Sequence, residues 1–221
     1  MNKLKNFVTS NHLKTQRNYL ERMKNNKVYC MKIAQKFEKD YWDGKRSFGY
    51  GGYKYIKNYW TPVAKQLIRN YKLSNRSKIL DIGCGKAFLL YEIKKLLPEI
   101  KILGTDISNH ALKNSPKEIR KYLIKKDASK NFSYRDNHFD LVISLGCLHN
   151  LKIKELFNAI SEIERLGKKK YIMVESYKDN KELFNLQCWA LTCQSFFHKN
   201  EWKWIFKKTK YSGDFEFIYF N

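Results

Sequence analysis

Residues 79–90 read ILDIGCGKAFLL, an apolar run that ends in an acid, then two glycines one residue apart, then an apolar segment with helical spacing. The pattern predicts a buried strand, a tight turn and a helix. Glycines let a backbone approach a ligand closely, and a helix N-terminus offers free N–H groups. A turn explains the glycines but not the carboxylate of Asp81 beside them. This corner is therefore a candidate binding site.

Strand and helix patterns alternate from Lys78 onward. The predicted strands are KILDI (78–82), IKILGTDI (100–107), KYLIKKDA (121–128), FDLVISLG (139–146), KYIMVES (170–176) and DFEFIYF (214–220). Several are apolar on both faces, as a parallel sheet covered by helices on both sides requires. The sequence thus predicts a doubly wound α/β fold. The segment ALTCQSFF (190–197) fits either a helix or a strand.

The N-terminal third has a different pattern. Apolar residues recur at helical spacing over 14–43, with Asn25 and Asn26 as a break and Gly44 as a stop. A Gly- and Tyr-rich loop follows at 46–60, and Thr61 with Pro62 begins a helix that runs to about Tyr71. We expect residues 1–74 to form helices and a lid packed on the core, and residues 75–221 to form the α/β domain, in one globular unit.

The chain is strongly basic, with 44 Lys and Arg against 21 Asp and Glu and a formal charge of +23. Such a balance raises nucleic acid or an anionic membrane surface as a partner. The lysines, however, run along the whole chain, and arginine, the better residue for bidentate phosphate contacts, is scarce. We favour a solvated surface of compositional origin over a nucleic-acid footprint. In either case, the positive charge of the chain would attract an anionic substrate.

Several classes of protein are disfavoured. No apolar run is long enough for a transmembrane helix, and no apolar segment follows the basic start as in a signal peptide. The five cysteines are scattered without a CxxC pair, and the histidines lack metal-ligand spacing. We expect a reduced, cytoplasmic protein without a metal. Nothing in the sequence specifies an oligomeric state.

Acids end three successive strands. Asp81 precedes the first glycine, where a carboxylate repels phosphate and suits a cation. Asp106 ends the next strand and can accept both hydroxyls of a ribose, and Asp127 ends the third and can accept an exocyclic amine such as that of adenine. A dinucleotide fingerprint would need glycine where the chain has Phe88, and no phosphate loop is present. Together these acids predict a cationic amino-acid nucleoside, S-adenosylmethionine.

Four segments resemble the motifs of class I S-adenosylmethionine-dependent methyltransferases, in the same order across about residues 75–176. They are ILDIGCGKA, LGTDIS, KKDAS and FDLVISLGCLHNL. The resemblance implies a Rossmann-like, doubly wound, mostly parallel seven-stranded sheet with a helical N-terminal cap. It also implies S-adenosyl-L-methionine as cofactor and S-adenosyl-L-homocysteine as product. Ala87 stands where a third glycine is usual, which should cost little if that position mainly serves helix packing.

The resemblance also implies cofactor contacts. Asp81 would hold the methionyl ammonium through water, the glycine turn would line the methionyl chain, and Asp127 with Ala128 would hold the adenine. The full predicted set is Asp81, Gly83, Cys84, Gly85, Asp106, Ile107, Asp127, Ala128, Leu145, Tyr50 and Tyr55. Tyr53 and Trp60 are further candidates in the lid loop, which could equally be an aromatic surface loop.

Acceptor chemistry is expected after the fourth strand, at GCLHN (146–150). The proline pair of amino-group methylases that act on bases is missing there. His149 is the candidate general base, because histidine can take a hydroxyl proton near neutral pH. Glu175, at the end of the fifth strand, could orient an acceptor hydroxyl. Alternatively, His149 caps the next helix or packs on the cofactor, and Glu175 is only a polar strand end.

The sequence predicts O-methylation of a small, possibly anionic molecule such as a sugar, a polysaccharide precursor or a phosphorylated metabolite. The string YGGYKY resembles small bacterial methyltransferases of surface-polysaccharide pathways. Two alternatives stay open. One is an RNA- or protein-directed methyltransferase that uses the basic surface. The other is a non-catalytic module that binds S-adenosylmethionine.

Overall fold

The structure, a computed structural model, describes residues 3–9, 12 and 17–221. Three short helices replace the predicted helical run: α1 (Tyr19–Lys24), α2 (Lys27–Ala34) and α3 (Lys39–Asp43). Residues 14–16 of that run lie outside the described residues. The predicted break is confirmed, because Asn26 caps α2 by accepting a hydrogen bond from the Tyr29 N–H at 3.1 Å.

The alternating region begins after α4 (Thr61–Tyr71), whose predicted bounds are confirmed. Its strands are β1 (Lys78–Ile82), β2 (Lys101–Asp106), β3 (Leu123–Lys125), β4 (Phe139–Leu145), β5 (Gly167–Glu175) and β6 (Asp214–Ile218). Its helices are α5 (Phe88–Leu96), α6 (Asn109–Lys113), α7 (Ile153–Leu166), α8 (Asn180–Trp189) and α9 (Lys199–Lys208). In the ranges that the structure describes, no helix is long and apolar enough to cross a membrane.

The strands form one sheet in the order β3-β2-β1-β4-β5-β6, and every neighbouring pair is parallel. Alternate residues of β1 enter different cores: Ile79 packs with α4, α5 and α8, and Leu80 packs with α7 and α9. Both faces of the sheet are therefore covered, and the predicted doubly wound fold is confirmed. Because β1 lies between β2 and β4, the chain reverses its winding direction there. Ligands bind at this point in such sheets.

The sheet has six strands within the described residues, so the expected count of seven is wrong for this part of the chain. The ambiguous segment 190–197 contributes none: the N–H groups of Gln194 and Ser195 donate to the His149 carbonyl instead of to a strand. Residues 3–5 lie along the outer edge of β6, in the place of a seventh strand. Leu4 forms a parallel bridge with Phe215, whose carbonyl accepts from the Lys5 N–H at 2.8 Å.

A buried carboxylate fastens the next N-terminal residues to β6. Glu216 is 1% exposed and accepts hydrogen bonds from the N–H groups of Phe7, Val8 and Thr9 at 2.7, 2.9 and 2.6 Å. The Tyr171 hydroxyl donates to the same carboxylate. Hydrogen bonds to a charged acceptor are the stronger kind. This carboxylate therefore holds residues 7–9 against the sheet.

Candidate functional site

Two glycines make the turn after β1 possible. Gly83 and Gly85 have φ of +78° and +55°, a conformation that side chains disfavour. A Cβ at Gly83 would lie 2.4 Å from the Cys147 side chain, and one at Gly85 would lie 2.7 Å from the Trp42 ring. Both positions thus exclude a side chain. The turn is held to β2 by the Gly83 N–H, which donates to the Thr105 carbonyl at 2.7 Å.

Ala87 ends the same turn and adopts φ +56° at the N-cap of α5. The expectation that alanine costs little here assumed a role in helix packing. The left-handed conformation adds a backbone reason for glycine, because an alanine there is disfavoured by about 1 kcal/mol. The expected small cost of alanine therefore has a backbone component in addition to any role in helix packing.

A cavity lies at the carboxyl ends of β1, β2 and β4. Every predicted cofactor residue except Tyr55 lines it, together with Tyr53 and Trp60 from the Gly- and Tyr-rich loop. Its other lining residues were not predicted: Phe37, Tyr41, Trp42, Phe88, Leu89, Lys126, Gly146, Cys147, Asn150 and Leu151. The cavity thus joins the three strand-end acids to aromatic residues from the N-terminal third of the chain.

Asp81 is a buried acid with an unused acceptor. Its side chain is 4% exposed, and Oδ1 has no hydrogen-bond partner in the part of the chain that the structure describes. Burial, with the nearby Asp106, raises the pKa of Asp81 to about 8. A buried polar atom without a partner is unfavourable, and a cationic donor would satisfy it and favour its ionised form. The chemistry of this atom fits an ammonium group.

The other two strand-end acids are partly engaged. Asp106 accepts hydrogen bonds from the N–H groups of Gly85 and Ser108, both at 2.8 Å. Asp127 accepts from the Ser129 N–H and hydroxyl at Oδ1, both at 2.8 Å. A carboxylate has about four acceptor sites, so each retains capacity for a ligand donor. These bonds fix the two carboxylates in position at the cavity wall.

Tyr55 lies outside the cavity, contrary to its predicted cofactor contact. Its hydroxyl donates to Glu92 of α5, which also accepts from the Thr61 hydroxyl, and its ring packs edge-on against Phe88 and Tyr91. The hydroxyl is therefore used to fasten the loop to α5. Tyr50 and Tyr53, from the same loop, do line the cavity.

Aromatic rings from the N-terminal segment form the wall of the cavity over the glycine turn. Trp42 stacks on Tyr50 with ring centres 5.1 Å apart, and its Nε1–H donates to the Ser108 hydroxyl at 3.0 Å. The helical spacing predicted over 14–43 does not single out Trp42 as a cavity residue. The available signal was a run of aromatic residues on both sides of Gly44.

Ionic contacts join this wall to the α/β core. The Lys86 ammonium lies 2.7 Å from the Asp43 carboxylate, and the His110 ring lies 2.6 Å from it. Glu38 accepts from the N–H groups of Asn109 and His110 at 3.1 and 2.9 Å, which caps α6 from outside its own segment. These partners are far apart in sequence, and no local pattern marks them.

His149 and Glu175 lie together beside the cavity. The Glu175 N–H donates to His149 Nδ1 at 3.3 Å, and His149 Nε2 lies 3.5 Å from the Glu175 carboxylate. His149 is buried, which lowers its pKa, while Glu175 opposes that shift. Neither side chain lines the cavity, but Glu175 with burial raises the pKa of Tyr41, a cavity residue, to about 12. The two predicted catalytic residues are thus neighbours, with Glu175 the more exposed.

Metal ligands are not grouped anywhere in the described ranges: no cluster of three or more His, Cys, Asp or Glu side chains could hold an ion there.

Comparison with known proteins gives three kinds of match. A family model described as a methyltransferase domain matches residues 73–210. The mitochondrial arginine-hydroxylase NDUFAF5 of Mus musculus is 34% identical over 110 residues, 49% of this chain and 31% of that protein. Ribosomal RNA small subunit methyltransferase C of Haemophilus influenzae (strain PittEE) is 34% identical over 90 residues, 40% of this chain and 27% of that protein.

Among solved structures, a SAM-dependent methyltransferase from Archaeoglobus fulgidus superposes with a TM-score of 0.51 and 25% identity, covering 68% of both chains. The matched stretch is less than a third of either curated relative's length. The family model covers residues 73–210, which include β1 to β5 and end before β6.

Proposed function

Because the chain belongs to the methyltransferase-domain family, we propose that it transfers a methyl group from S-adenosylmethionine to a hydroxyl oxygen of a small molecule. The S-adenosylmethionine-dependent methyltransferase activity follows from the family. The choice of oxygen acceptor is supported by the His149–Glu175 pair beside the cavity. The polysaccharide pathway, bacterial origin and cytoplasmic location stay predictions from the sequence.

The cavity residues fit the cofactor in the way the motifs predict. Asp81 Oδ1 is the acceptor that we assign to the methionyl ammonium, because it is buried and unpartnered among the described residues. Asp106 is assigned to the ribose hydroxyls, and Asp127 with Ala128 to the adenine. When bound, the cofactor supplies an electrophilic methyl group on a sulfonium. The rate then depends mainly on holding donor and acceptor in register.

The geometry of the pair suggests separate roles for its members. His149 Nδ1 accepts the Glu175 N–H, so in the neutral ring the proton is on Nε2, which faces the Glu175 carboxylate. We assign Glu175 as the group that accepts the proton of the acceptor hydroxyl, since its side chain is 22% exposed and that of His149 is 5% exposed. His149 then positions this carboxylate, and its predicted role as general base passes to Glu175.

A small acceptor is favoured over a macromolecule by the wall of the cavity. Trp42 and Tyr50 cover the glycine turn, and the Asp43–Lys86 contact joins their segment to the core. We propose that residues 1–74 form the cap and lid of the site. The missing proline pair at GCLHN also disfavours base methylation.

RNA is the second candidate acceptor, favoured by two observations. The formal charge is +23, and 40% of the chain matches a ribosomal RNA methyltransferase. A non-catalytic module that binds S-adenosylmethionine is the third candidate. It would bind the cofactor and transfer no methyl group.

The test is to incubate the purified protein with isotopically labelled S-adenosylmethionine and either a metabolite extract or total RNA, and to locate the label by mass spectrometry. Label on a small hydroxyl compound supports the proposal, and label on RNA alone contradicts it. With the acceptor in hand, Glu175→Gln should lower kcat about 100-fold, the range of general-base assistance, without changing cofactor affinity. Glu99→Gln, at an exposed carboxylate, is the matched control and should leave kcat unchanged.

A further inference from the structure

Three arginines converge on one indole at the end of α8. The guanidinium carbons of Arg17, Arg22 and Arg46 lie 5.3, 4.6 and 5.0 Å from the centre of the Trp189 ring. All three come from the N-terminal third of the chain. Lys27 adds a fourth cation, whose ammonium donates to the carbonyls of Gln187 and Cys188. We call Arg17, Arg22, Lys27 and Arg46 the cationic cluster.

Carboxylates do not neutralise most of this cluster. In the ranges that the structure describes, Arg22, Lys27 and Arg46 form no ion pair, and their hydrogen bonds go to carbonyl oxygens. Arg22 donates to the Trp189 and Arg46 carbonyls at 3.1 and 2.8 Å, and Arg46 donates to the Gly49 carbonyl at 2.7 Å.

Buried cations elsewhere in the molecule are paired differently. Lys86 contacts Asp43 at 2.7 Å, Lys170 contacts Glu164 at 2.8 Å, and both side chains are less than a tenth exposed. Half-buried Arg22 and Lys27 instead lie beside further positive charge. The cluster therefore departs from the way in which this chain neutralises its other buried cations.

The concentration of charge is unfavourable without an anion. Burial and Arg46 lower the pKa of Arg22 to about 10, and burial and Arg22 lower the pKa of Lys27 to about 8. The carbonyl end of α8 and the face of Trp189 offset part of the repulsion. A bound anion would remove more of it and would engage the donors that do not reach a carbonyl.

The cluster adjoins the acceptor side of the proposed active site. Burial lowers the pKa of Arg17, and the Glu175 carboxylate opposes that shift; burial also lowers the pKa of Arg22, and Tyr41, which lines the cavity, opposes it. The Arg46 side chain packs against Gly51 of the Gly- and Tyr-rich loop. An anionic group held by the cluster would thus lie next to the carboxylate that we assign to the acceptor hydroxyl.

Resting on the proposed function, we propose that the cationic cluster binds a phosphoryl group carried by the small methyl acceptor. Guanidinium groups match the geometry of phosphate oxygens, and several of them around one point favour a compact, doubly charged anion. RNA fits less well, because single strands are bound by stacking bases on aromatic faces along a basic groove. The Trp189 ring is less accessible to a stacking base, because three guanidinium groups already surround it.

Fluorine NMR of the protein labelled with 5-fluorotryptophan tests the proposal. The chain has five tryptophans, and Trp189→Phe identifies the resonance of Trp189. Inorganic phosphate, titrated at constant ionic strength against sodium chloride, should shift that resonance saturably. Arg22→Gln and Arg46→Gln should each weaken phosphate binding about tenfold, the equivalent of one charge-assisted hydrogen bond. Lys181→Gln, which removes an equal charge from an exposed position of α8, should leave it unchanged.

The outcomes separate this inference from the proposed function. Calorimetry with S-adenosylhomocysteine measures the cofactor site, and its affinity should be equal in wild type, Arg22→Gln and Arg46→Gln. If the cofactor binds and phosphate gives no saturable shift, or the same shift in all variants, the inference is overturned and the function stands. If phosphate binds and the cofactor does not, the proposed function fails.

Two further controls complete the test. Unchanged resonances of the other four tryptophans show that each variant is folded, and exposed Arg46 is the variant least able to disturb the core. A mixed-sequence RNA of 20 nucleotides that shifts Trp189 at far lower concentration than phosphate, with loss of the effect in Arg46→Gln, would overturn the assignment to a small acceptor.

Discussion

Asp81 and Glu216 are both buried carboxylates, 4% and 1% exposed, yet the chain treats them in opposite ways. Glu216 accepts three backbone N–H groups and two hydroxyls at its two oxygens. Asp81 leaves Oδ1 without a partner in the described part of the chain. The first carboxylate is used within the fold. We infer that the second carboxylate is reserved for a ligand group, the methionyl ammonium of the proposed cofactor.

The largest expected effect tests whether Glu216 has a structural role. Glu216→Ala should lower the free energy of unfolding by about 4 kcal/mol, because the N–H groups of Phe7, Val8 and Thr9 lose their shared acceptor. Denaturant unfolding measures it, with exposed Glu99→Ala as the control. A loss below about 1 kcal/mol, the value of an ordinary hydrogen bond, would show that residues 7–9 are not held by this carboxylate.

Asp81→Asn tests whether Asp81 takes part in cofactor binding. At pH 8 it should weaken S-adenosylhomocysteine binding about 100-fold, since an amide cannot neutralise an ammonium group. The ligand-free variant should be no less stable than wild type, because the substitution removes a buried ionisable group. Calorimetry and denaturant unfolding measure the two effects. A variant that binds normally but unfolds more easily would make Asp81 a structural residue like Glu216.

The pH dependence of stability and of cofactor affinity distinguishes Asp81 further from Glu216. The pKa of Asp81 is raised from 3.8 to about 8, so the ligand-free folded state holds a proton that the unfolded state has lost. This contribution to stability is complete below pH 4 and is lost as pH rises through about 8. The proposed contact with the ammonium needs the ionised form, so the affinity for S-adenosylhomocysteine should rise about tenfold per pH unit from pH 6 toward 8.

Asp81→Asn provides the control for that profile. In this variant the rise in S-adenosylhomocysteine affinity between pH 6 and 8 should be flat or much shallower, measured by calorimetry. Asp106, whose pKa burial also raises, would supply any slope that remains. An equally steep rise in the variant would assign the titration to another group.

The smallest expected effect concerns the backbone at Ala87, in the turn between β1 and α5. Ala87→Gly should raise the free energy of unfolding by about 1 kcal/mol or less, because glycine adopts the positive φ of this position without strain. Thermal and denaturant unfolding measure it, with cofactor affinity expected to stay within about twofold. A destabilised variant would indicate that the methyl group of Ala87, 1% exposed, matters more by its packing.

The α/β core and its binding corner could be predicted from the sequence because their signals are local. A strand, two glycines and a helix follow one another within twelve residues, and the order of strands brings Asp81, Asp106 and Asp127 to one edge. Tyr55 lies outside the cavity, although its neighbours Tyr50 and Tyr53 line it. Only the position of Glu92 explains the difference.

The aromatic wall could not be predicted, because long-range contacts build it. Trp42 reaches the site through Ser108, and Asp43 through Lys86, 43 positions away. Among the described residues the sheet has six strands, and residues 3–5, from the far end of the chain, lie along the outer side of β6. Periodicity reveals which face of an element is buried, and it does not reveal which distant segment covers that face.

The bond between Phe7 and Glu216 joins residues 209 positions apart. Phe7 and Val8 are buried, but the carboxylate that binds their amides lies more than 200 positions further along the chain. Contacts of such sequence separation slow folding, because a large loop must close before they form. The amides of residues 7–9 can therefore reach this acceptor only after Glu216 has been synthesised.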